Sequence, residues 1–188
     1  MTRIIAGLAG SLPLAVPDAG TRPTSDRVRE SLFAALESAD AIADAAVLDL
    51  YAGSGALGLE AVSRGAAAAD LVEKAPRAAA VAERNVRAVS RAVPDARVRV
   101  HRQSAEAFLR AVAGTWSLVF ADPPYDLAGD ELRGTLELLV PRLSPDALVV
   151  VERATRSPEP ALPDGLVVER SKRYGDTTLW WLAPATAP

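Results

Sequence analysis

The sequence predicts an α/β fold: a doubly wound, mostly parallel sheet with a C-terminal antiparallel hairpin and a short N-terminal β-hairpin arm. From residue 46 onward, short apolar segments alternate with helical segments, which is typical of βαβ crossover units. The last two strand-like segments have no helix between them, which is typical of an antiparallel hairpin. The 188 residues are 49% hydrophobic and 24% charged, a balance that provides the core of one ordinary domain.

Three parts are expected along the chain. Residues 1–20 consist of short apolar pieces separated by Gly and Pro, which predicts a strand-like arm rather than a helix. The main α/β domain is expected over residues 21–183, and residues 184–188 are expected to form a loose tail.

A helix is predicted before the sheet begins. Residues 23–26 supply candidate N-caps, and the spacing of Val28, Leu32 and Leu36 places one apolar stripe against a core. This spacing leaves Arg27 and Arg29 on other faces. For Arg22, Arg27 and Arg29, the alternative to a functional role is a solvated helix start.

Strands and helices then alternate. The predicted strands cover residues 47–51, 70–73, 96–101, 118–121 and 148–152, and the predicted helices cover residues 56–64, 76–91, 105–112 and 131–139. Two further strands, 166–170 and 177–182, are joined by residues 172–176 and form the predicted hairpin at the sheet edge. Trp180 and Trp181 are expected to pack there.

Composition excludes several classes of site. The chain has no cysteine and one histidine, His101, which excludes disulfides, zinc–thiolate sites and two-histidine zinc sites, and no metal is predicted. The net charge of −3 gives no global positive field for a nucleic acid but leaves room for a local basic patch. No apolar run reaches the roughly 18 residues of a membrane span, and Gly and Pro interrupt the apolar N-terminus. The protein is therefore expected in the cytoplasm.

A glycine-rich loop follows the first parallel strand and opens a helix. Gly53, Gly55 and Gly58 let the backbone pass close to a ligand, and a helix N-terminus offers unpaired N–H groups. Glu73 ends the next strand, where its carboxylate can accept hydrogen bonds from both hydroxyls of a ribose. Taken literally, the spacing matches the dinucleotide fingerprint of NAD-binding proteins. The glycines alone also fit a tight strand–helix turn without a ligand.

Two features favour S-adenosylmethionine over NAD. Asp49 ends the strand four residues before Gly53, where it can face the methionine ammonium, a group that NAD lacks. The sheet and the hairpin use the rest of the chain, which leaves little room for the second domain of a dehydrogenase. Ser104 and Ala105 follow the third strand and are expected beside the adenine, although Ser104 also suits the N-cap of the next helix.

The tetrapeptide Asp122-Pro123-Pro124-Tyr125 follows the fourth strand, at the edge where doubly wound folds bind ligands. An exocyclic amine is a poor nucleophile because its lone pair is delocalised into the base. A carboxylate and a proline carbonyl that each accept one N–H bond can turn that lone pair toward a sulfonium methyl, while Tyr125 stacks on the base. Asp122 also stabilises the charge that develops on nitrogen. The alternative is a simple Pro-Pro turn.

With both motifs present, the chain resembles class I S-adenosylmethionine-dependent amino-methyltransferases, whose fold is Rossmann-like. More closely, it resembles bacterial 16S rRNA guanine-N2 methyltransferases of the RsmD type. The resemblance covers almost the full length and rests on residues 3–7, 21–30, 49–60 and 122–125 and on Lys172-x-Tyr174-Gly175.

The resemblance implies a role for each matched residue. The implied cofactor-binding residues are Thr24, Arg27, Asp49, Tyr51, Gly53, Ser54, Gly55, Glu73, Lys74, Ser104 and Ala105, and the implied catalytic residues are Asp122, Pro123, Pro124 and Tyr125. Arg3 and Arg22 are implied to contact rRNA. Ser104 stands where that family commonly has Asp or Asn. The implied substrate is one guanine of 16S rRNA in an assembling small ribosomal subunit, flipped from its stack, and the enzyme is expected to be a monomer without membrane contacts.

Two other functions are weighed against this one. A DNA adenine-N6 methyltransferase uses the same chemistry, because its target is also an exocyclic amine, but usually carries a separate DNA-recognition domain. A non-catalytic nucleotide- or RNA-binding module could keep the fold, but the intact Asp122 and Tyr125 argue against it.

Overall fold

The structure is a computed structural model that describes residues 2–17, 26–124 and 126–185. Within these ranges the strands are β1 (Thr2–Arg3), β2 (Pro13–Leu14), β3 (Ala46–Asp49), β4 (Ala68–Val72), β5 (Arg97–His101), β6 (Trp116–Ala121), β7 (Leu143–Ala154), β8 (Leu166–Tyr174) and β9 (Thr177–Pro184). The α-helices are α1 (Asp26–Ser38), α2 (Ala56–Ser63), α3 (Pro76–Val89), α4 (Ala105–Ala111) and α5 (Gly129–Leu139), and a 3₁₀ turn covers Val140–Arg142. No helix among the described residues is long and apolar enough to cross a membrane.

Seven strands form the main sheet in the order β5-β4-β3-β6-β7-β9-β8. The strands from β5 to β7 are parallel, and β9 pairs antiparallel with both β7 and β8. The chain builds outward from β3 through β4 to β5 and then returns to β6, so β3 and β6 lie side by side where the strand order reverses. Ligands of doubly wound sheets bind outside the carboxyl ends of the strands at this point. The predicted fold class is confirmed.

Hydrophobic cores lie on both faces of the sheet, because successive side chains of a strand point to opposite faces. Val47 and Leu118 belong to the core that α1, α2 and α3 cover. Leu48 and Val119 belong to the core that α4 and α5 cover. The helices therefore hold the central strands from both sides and fix the positions of the loops at their carboxyl ends.

The C-terminal strands are longer than the sequence predicts. β7 begins five residues before the predicted residue 148, and an irregular register between Trp116 and Leu118 of β6 accommodates the addition. β8 continues to Tyr174, so the hairpin turn is only Gly175 and Asp176. β9 extends through Pro184, beyond the predicted residue 182. The β8 extension is hidden in the sequence because Ser171, Lys172 and Arg173 are polar and exposed, and pairing with β9 forms this part of the strand. Trp181 is buried and Trp180 half-buried on β9.

The predicted N-terminal hairpin is present as β1 and β2, which pair antiparallel. Its connecting loop docks on α2. The backbone N–H groups of Ile5 and Ala6 donate to the two carboxylate oxygens of Glu60, at 2.7 and 3.0 Å. The Ala9 N–H donates to Ser63 Oγ at 2.9 Å, and that hydroxyl donates to the Ala6 carbonyl oxygen at 2.6 Å. The boundary predicted after residue 20 falls among residues 18–25, outside the described ranges.

The prediction that Arg29 lies off the core-facing stripe of its helix is wrong. The residue is 1% exposed. Arg29, Leu32, Phe33 and Leu36 are the buried residues of α1, with the i, i+3, i+4, i+7 spacing of one helix face. The predicted stripe therefore includes a cation, which remains buried because Asp26 and the arm supply hydrogen-bond acceptors. Arg27 is exposed.

Candidate active site

A cavity of about 790 Å³ lies at the carboxyl edge of the parallel strands. The predicted site residues that line it are Asp49, Tyr51, Gly53, Ser54, Glu73, Lys74, Ser104, Ala105, Asp122, Pro123 and Pro124. Segments that follow β3, β4, β5 and β6 thus meet at one place, as their parallel arrangement requires.

The glycine loop connects β3 to α2. Gly55 is the N-cap of α2 and has a φ of 80°, a left-handed conformation that a residue with a Cβ rarely adopts. A Cβ on Gly58 would lie 2.3 Å from Leu71 Cδ2, so this glycine is needed for close packing of the helix on the sheet. A Cβ built on Gly53 meets no atom within 4 Å. Gly53 therefore borders open space in the cavity, whereas Gly55 shapes the turn without lining the cavity.

Glu73 is fixed beside this loop. Its Oε2 accepts the Gly53 N–H at 2.9 Å, and its Oε1 accepts the Ala75 N–H at 2.7 Å. A carboxylate oxygen has two acceptor positions. Each Glu73 oxygen therefore keeps one position for a further donor while the backbone holds the carboxylate at the cavity wall.

Asp49 lies deeper and is 1% exposed. Its Oδ2 accepts the Gly58 N–H at 3.1 Å, and its Oδ1 has no hydrogen-bond partner among the residues that the structure describes. Burial is the main cause that raises the pKa of Asp49 from 3.8 to about 7; the charge of Glu73 also raises this pKa, and the backbone N–H groups of Gly58 and Tyr51 lower it. The cavity thus contains one buried carboxyl oxygen, Asp49 Oδ1, without a hydrogen-bond partner of good geometry among the described residues.

Two further predicted contacts are already engaged within the protein. Ser104 is the N-cap of α4, where its Oγ accepts the Ala107 N–H at 3.2 Å, so the capping interpretation is confirmed. The Tyr51 hydroxyl donates to Thr135 Oγ1 at 3.4 Å, and burial raises the pKa of this tyrosine. The predicted adenine contact of Ser104 would add to its capping bond, because a hydroxyl can also donate.

The Asp-Pro-Pro segment follows β6 directly. Asp122 is half-buried, Pro123 is buried and Pro124 is exposed. The Pro124 carbonyl oxygen accepts the Leu127 N–H at 2.9 Å, which turns the chain back at this point. The carbonyl of Pro123 is therefore the better candidate to accept a hydrogen bond from a substrate. Tyr125 lies outside the described residues.

Some predicted residues are not brought to the cavity. Arg3 and Arg27 are exposed and do not line it, and Arg22 and Thr24 lie outside the described residues. Arg29, in contrast, lines the cavity, although the sequence analysis places it off the core-facing stripe and assigns it no site role. Its helical spacing with Leu32, Phe33 and Leu36 is the signal that could have identified it.

The fold is that of Rossmann-like methyltransferases. A solved structure described as the putative methyltransferase yhhF from Escherichia coli matches with a TM-score of 0.83 at 37% identity, and the match covers 99% of both chains. The model of the family described as conserved hypothetical protein 95 matches residues 2–183.

The curated relatives identify the family to which the chain belongs. Ribosomal RNA small subunit methyltransferase D of Escherichia coli K12 is 39% identical over 176 residues, which cover 92% of this chain and 85% of the relative. The putative rRNA methyltransferase YlbH of Bacillus subtilis is 32% identical over 93% of this chain and 95% of its own length. The chain belongs to the ribosomal RNA small subunit methyltransferase D family.

Proposed function

We propose that this protein transfers a methyl group from S-adenosylmethionine to the exocyclic N2 of a guanine in 16S rRNA of the small ribosomal subunit. The observation that carries the proposal is a shared cavity: Asp122, Pro123 and Pro124 line the same space as the glycine loop and Glu73. A group bound on that loop would lie next to the residues suited to hold an amine. The names of the curated relatives support small-subunit rRNA as the substrate.

The residues of the cavity fit the cofactor. Gly53 borders open space, the Glu73 carboxylate keeps acceptor positions for ribose hydroxyls, and Asp49 Oδ1 lacks a partner that the methionine ammonium would provide. Ser104 and Ala105 line the side of the cavity proposed for the adenine. When bound, S-adenosylmethionine supplies an electrophilic methyl on its sulfonium. The other proposed cofactor contacts are Tyr51, Ser54, Gly55 and Lys74, with Thr24 and Arg27 covering the site.

Asp122 and the Pro123 carbonyl would hold the guanine amine. Each accepts one N–H bond, which draws the nitrogen toward tetrahedral geometry and turns its lone pair toward the methyl group. The Asp122 carboxylate stabilises the positive charge that grows on nitrogen while the new N–C bond forms and the methyl–sulfur bond breaks. The sulfur would keep the electron pair of the broken bond as a neutral thioether, and the nitrogen would release one proton to solvent. Tyr125 would stack on the base and fix its plane.

The partner part of the proposal is an assembling small subunit in which the guanine is flipped out of its stack. Arg3 and Arg22 would contact the rRNA backbone, the protein would act as a monomer, and a ribosomal substrate implies action in the cytoplasm. Arg3 is exposed at the arm, which is consistent with a contact outside the cavity.

Labelled methyl transfer tests this function. The protein is incubated with S-adenosylmethionine carrying a tritiated methyl and with 16S rRNA, 30S particles or DNA, and the nucleosides are then separated. We expect N2-methylguanosine from rRNA or particles. N6-methyladenine from DNA would instead support the adenine methyltransferase alternative, and binding of the cofactor and RNA without any transfer would support a non-catalytic module.

A further inference from the structure

Arg29 is a buried cation on the wall of the cavity. Its Nη2 donates to the Arg3 carbonyl oxygen at 2.7 Å and to Asp26 Oδ1 at 2.8 Å. Its Nε and Nη1 are also buried and have no hydrogen-bond partner in the part of the chain that the structure describes. Buried donors are almost always paired in native proteins, because an unpaired one loses its hydration without compensation. Two of the three guanidinium nitrogens therefore have no acceptor among the described residues.

Asp49 has the complementary deficit on the same cavity. Among the described residues, its buried Oδ1 has no donor, just as Nε and Nη1 of Arg29 have no acceptor. The two side chains do not satisfy each other, since neither contributes a hydrogen bond to these atoms. A ligand bound in this cavity that carries both a carboxylate and an ammonium has the two groups that these side chains lack. An amino-acid group has this chemistry, whereas a simple anion would satisfy Arg29 alone.

We propose that Arg29 binds the carboxylate at the amino-acid end of the cofactor, while Asp49 faces the ammonium. This inference rests on the proposed use of S-adenosylmethionine. Arginine suits the role because its planar guanidinium stays charged and presents fixed donors to a carboxylate. The same side chain donates a hydrogen bond to the Arg3 carbonyl oxygen of β1. Arg29 would therefore contact both the amino-acid end of the cofactor and the N-terminal arm.

The test compares two ligands that differ only in the carboxylate: S-adenosylmethionine and its decarboxylated analogue. Calorimetric titration gives both dissociation constants for the wild type, for Arg29→Gln and for the conservative Arg29→Lys. We expect the wild type to prefer S-adenosylmethionine on the order of 10- to 100-fold, the range for hydrogen bonds to charged groups. Arg29→Gln should bind both ligands about equally, and Arg29→Lys should show an intermediate preference.

The analogue also controls for folding, because a misfolded variant loses both ligands whereas loss of a carboxylate contact affects one. A wild-type protein that binds the two ligands equally would overturn the inference, even if both variants fail to fold. So would an Arg29→Gln variant that keeps the wild-type preference. If the wild type binds neither ligand, the cofactor of the proposed function is wrong as well.

A second observation concerns charge. Residues 76–102 contain seven arginines and two acidic residues, a formal charge of +5, so the rest of a chain of net charge −3 carries −8. Arg77, Arg84 and Arg87 are exposed on α3 within about 80° of one another around the helix axis. None of the ion pairs found among the described residues involves them.

We infer that these three residues, the α3 arginine stripe, bind the phosphate backbone of the RNA that carries the target base; this rests on the proposed rRNA substrate. The stripe begins beside Ala78, which lines the cavity, so RNA bound along α3 leads toward the site. Arginines without acidic partners lose no ion pair when they bind phosphate, and release of counterions from RNA favours the contact.

A pair of double variants with equal charge change tests the stripe: Arg84→Gln with Arg87→Gln, and the control Arg110→Gln with Arg133→Gln on the opposite helix layer. Affinity for 30S particles is measured from 50 to 300 mM salt. We expect the α3 double variant to bind about 10-fold more weakly and with a flatter salt dependence. Equal losses in both double variants, or no loss in the α3 variant, would overturn this surface. The wild-type affinity reports separately on the proposed substrate.

Discussion

At the residue scale, two carboxylates of the cavity are held in different ways. Glu73 accepts two backbone N–H bonds from the surrounding loops, which keeps a charged group at the cavity wall. Burial raises the pKa of Asp49 to about 7, and its Oδ1 has no hydrogen-bond partner within the described part of the chain. The Glu73 carboxylate can accept hydrogen bonds from hydroxyl groups, and a bound cation would favour the charged form of Asp49. This difference leads to two separate predictions.

Glu73→Ala should weaken S-adenosylmethionine binding by roughly 1–3 kcal/mol, the range for hydrogen bonds to a charged acceptor. The fold should survive, because the backbone N–H groups of Gly53 and Ala75 can bond to water at the edge of the cavity. Calorimetry measures the affinity, and thermal unfolding confirms that the variant is folded. Unchanged affinity in a folded variant would place the ribose elsewhere.

Asp49→Asn should stabilise the ligand-free protein at pH 8 but not at pH 3.5. Because burial raises the folded-state pKa from 3.8 to about 7, the neutral acid contributes stability that is complete below pH 3.8 and is lost as the pH rises through 7. That difference in pKa corresponds to at most about 4 kcal/mol. Asn remains neutral and keeps an acceptor for the Gly58 N–H.

Urea unfolding of both proteins at several pH values measures this effect. The free-energy difference between variant and wild type should grow from pH 4 to pH 7 and then level off. A difference that does not change with pH would show that the Asp49 carboxylate is stabilised in some other way in the folded protein.

At the scale of elements, polar groups of the helices attach the N-terminal arm to the domain. Glu60 and Ser63 of α2 bind four backbone groups of the arm loop. The Ala15 N–H donates to Asn85 Oδ1 of α3, and Asn85 Nδ2 donates to the Ala15 carbonyl oxygen. Asn85 Nδ2 also donates to the Ser54 carbonyl oxygen at 2.8 Å. The arm and the glycine loop therefore share a support on α3.

Gly7→Ala should detach this arm loop. Gly7 has a φ of 82°, and a Cβ there would lie 1.9 Å from the Ser63 carbonyl oxygen, a backbone atom that cannot move aside. The left-handed conformation alone costs about 1–2 kcal/mol with a side chain, and the clash adds to it. Thermal unfolding and proteolysis of the arm measure the loss.

The matched control is Gly134→Ala in α5, where a Cβ meets no atom within 4 Å. That change should be neutral or should stabilise by up to about 1 kcal/mol, because alanine favours helices. If Gly7→Ala, like Gly134→Ala, changes neither the unfolding temperature nor the rate of arm proteolysis, the arm is not docked through this contact.

The elements that the sequence predicts well are those that bury a face. The parallel strands and their helices are found within a few residues of their predicted bounds, because apolar periodicity reports burial directly. β8 is underpredicted because its polar residues are exposed at the sheet edge and its partner strand supplies the hydrogen bonds. Contacts such as Glu60 with Ile5 join residues far apart in the chain, so local patterns carry no signal for them.

The candidate site shows the same division. Motifs that follow parallel strands can be placed together from the topology alone, which is why Asp49, Glu73 and Asp122 were predicted at one edge. Arg29 comes from a helix before the sheet, and its charge suggested solvent. Its burial depends on the Arg3 carbonyl and Asp26, which only the tertiary structure brings into contact.

At the scale of the whole molecule, an acidic protein must bind RNA through local basic residues. The net charge is −3, so the chain as a whole does not attract RNA. Removal of Arg3 in the arm and of Arg22 before the first helix should therefore change rRNA binding more than it changes the fold. We expect Arg3→Gln combined with Arg22→Gln to weaken binding to 30S particles and to flatten its salt dependence, since fewer phosphate counterions are released. The Arg3 substitution keeps the backbone carbonyl that Arg29 uses. Methylation of particles at the wild-type rate across salt concentrations would exclude Arg3 and Arg22 as the contact. The α3 arginine stripe and the basic residues Arg170, Lys172 and Arg173 would then be the remaining candidates.

The most direct test of the central claim is single-turnover methylation of 30S particles by Asp122 variants, because it measures the chemical step apart from product release. Asp122→Ala should bind S-adenosylmethionine as the wild type does and lose on the order of 10²–10³ in rate, the cost of removing one contact that stabilises developing charge. Asp122→Asn should be intermediate, since its amide oxygen keeps one acceptor without the charge. An Asp122→Ala protein that methylates guanine N2 at close to the wild-type rate would contradict the assignment of this loop as the active site.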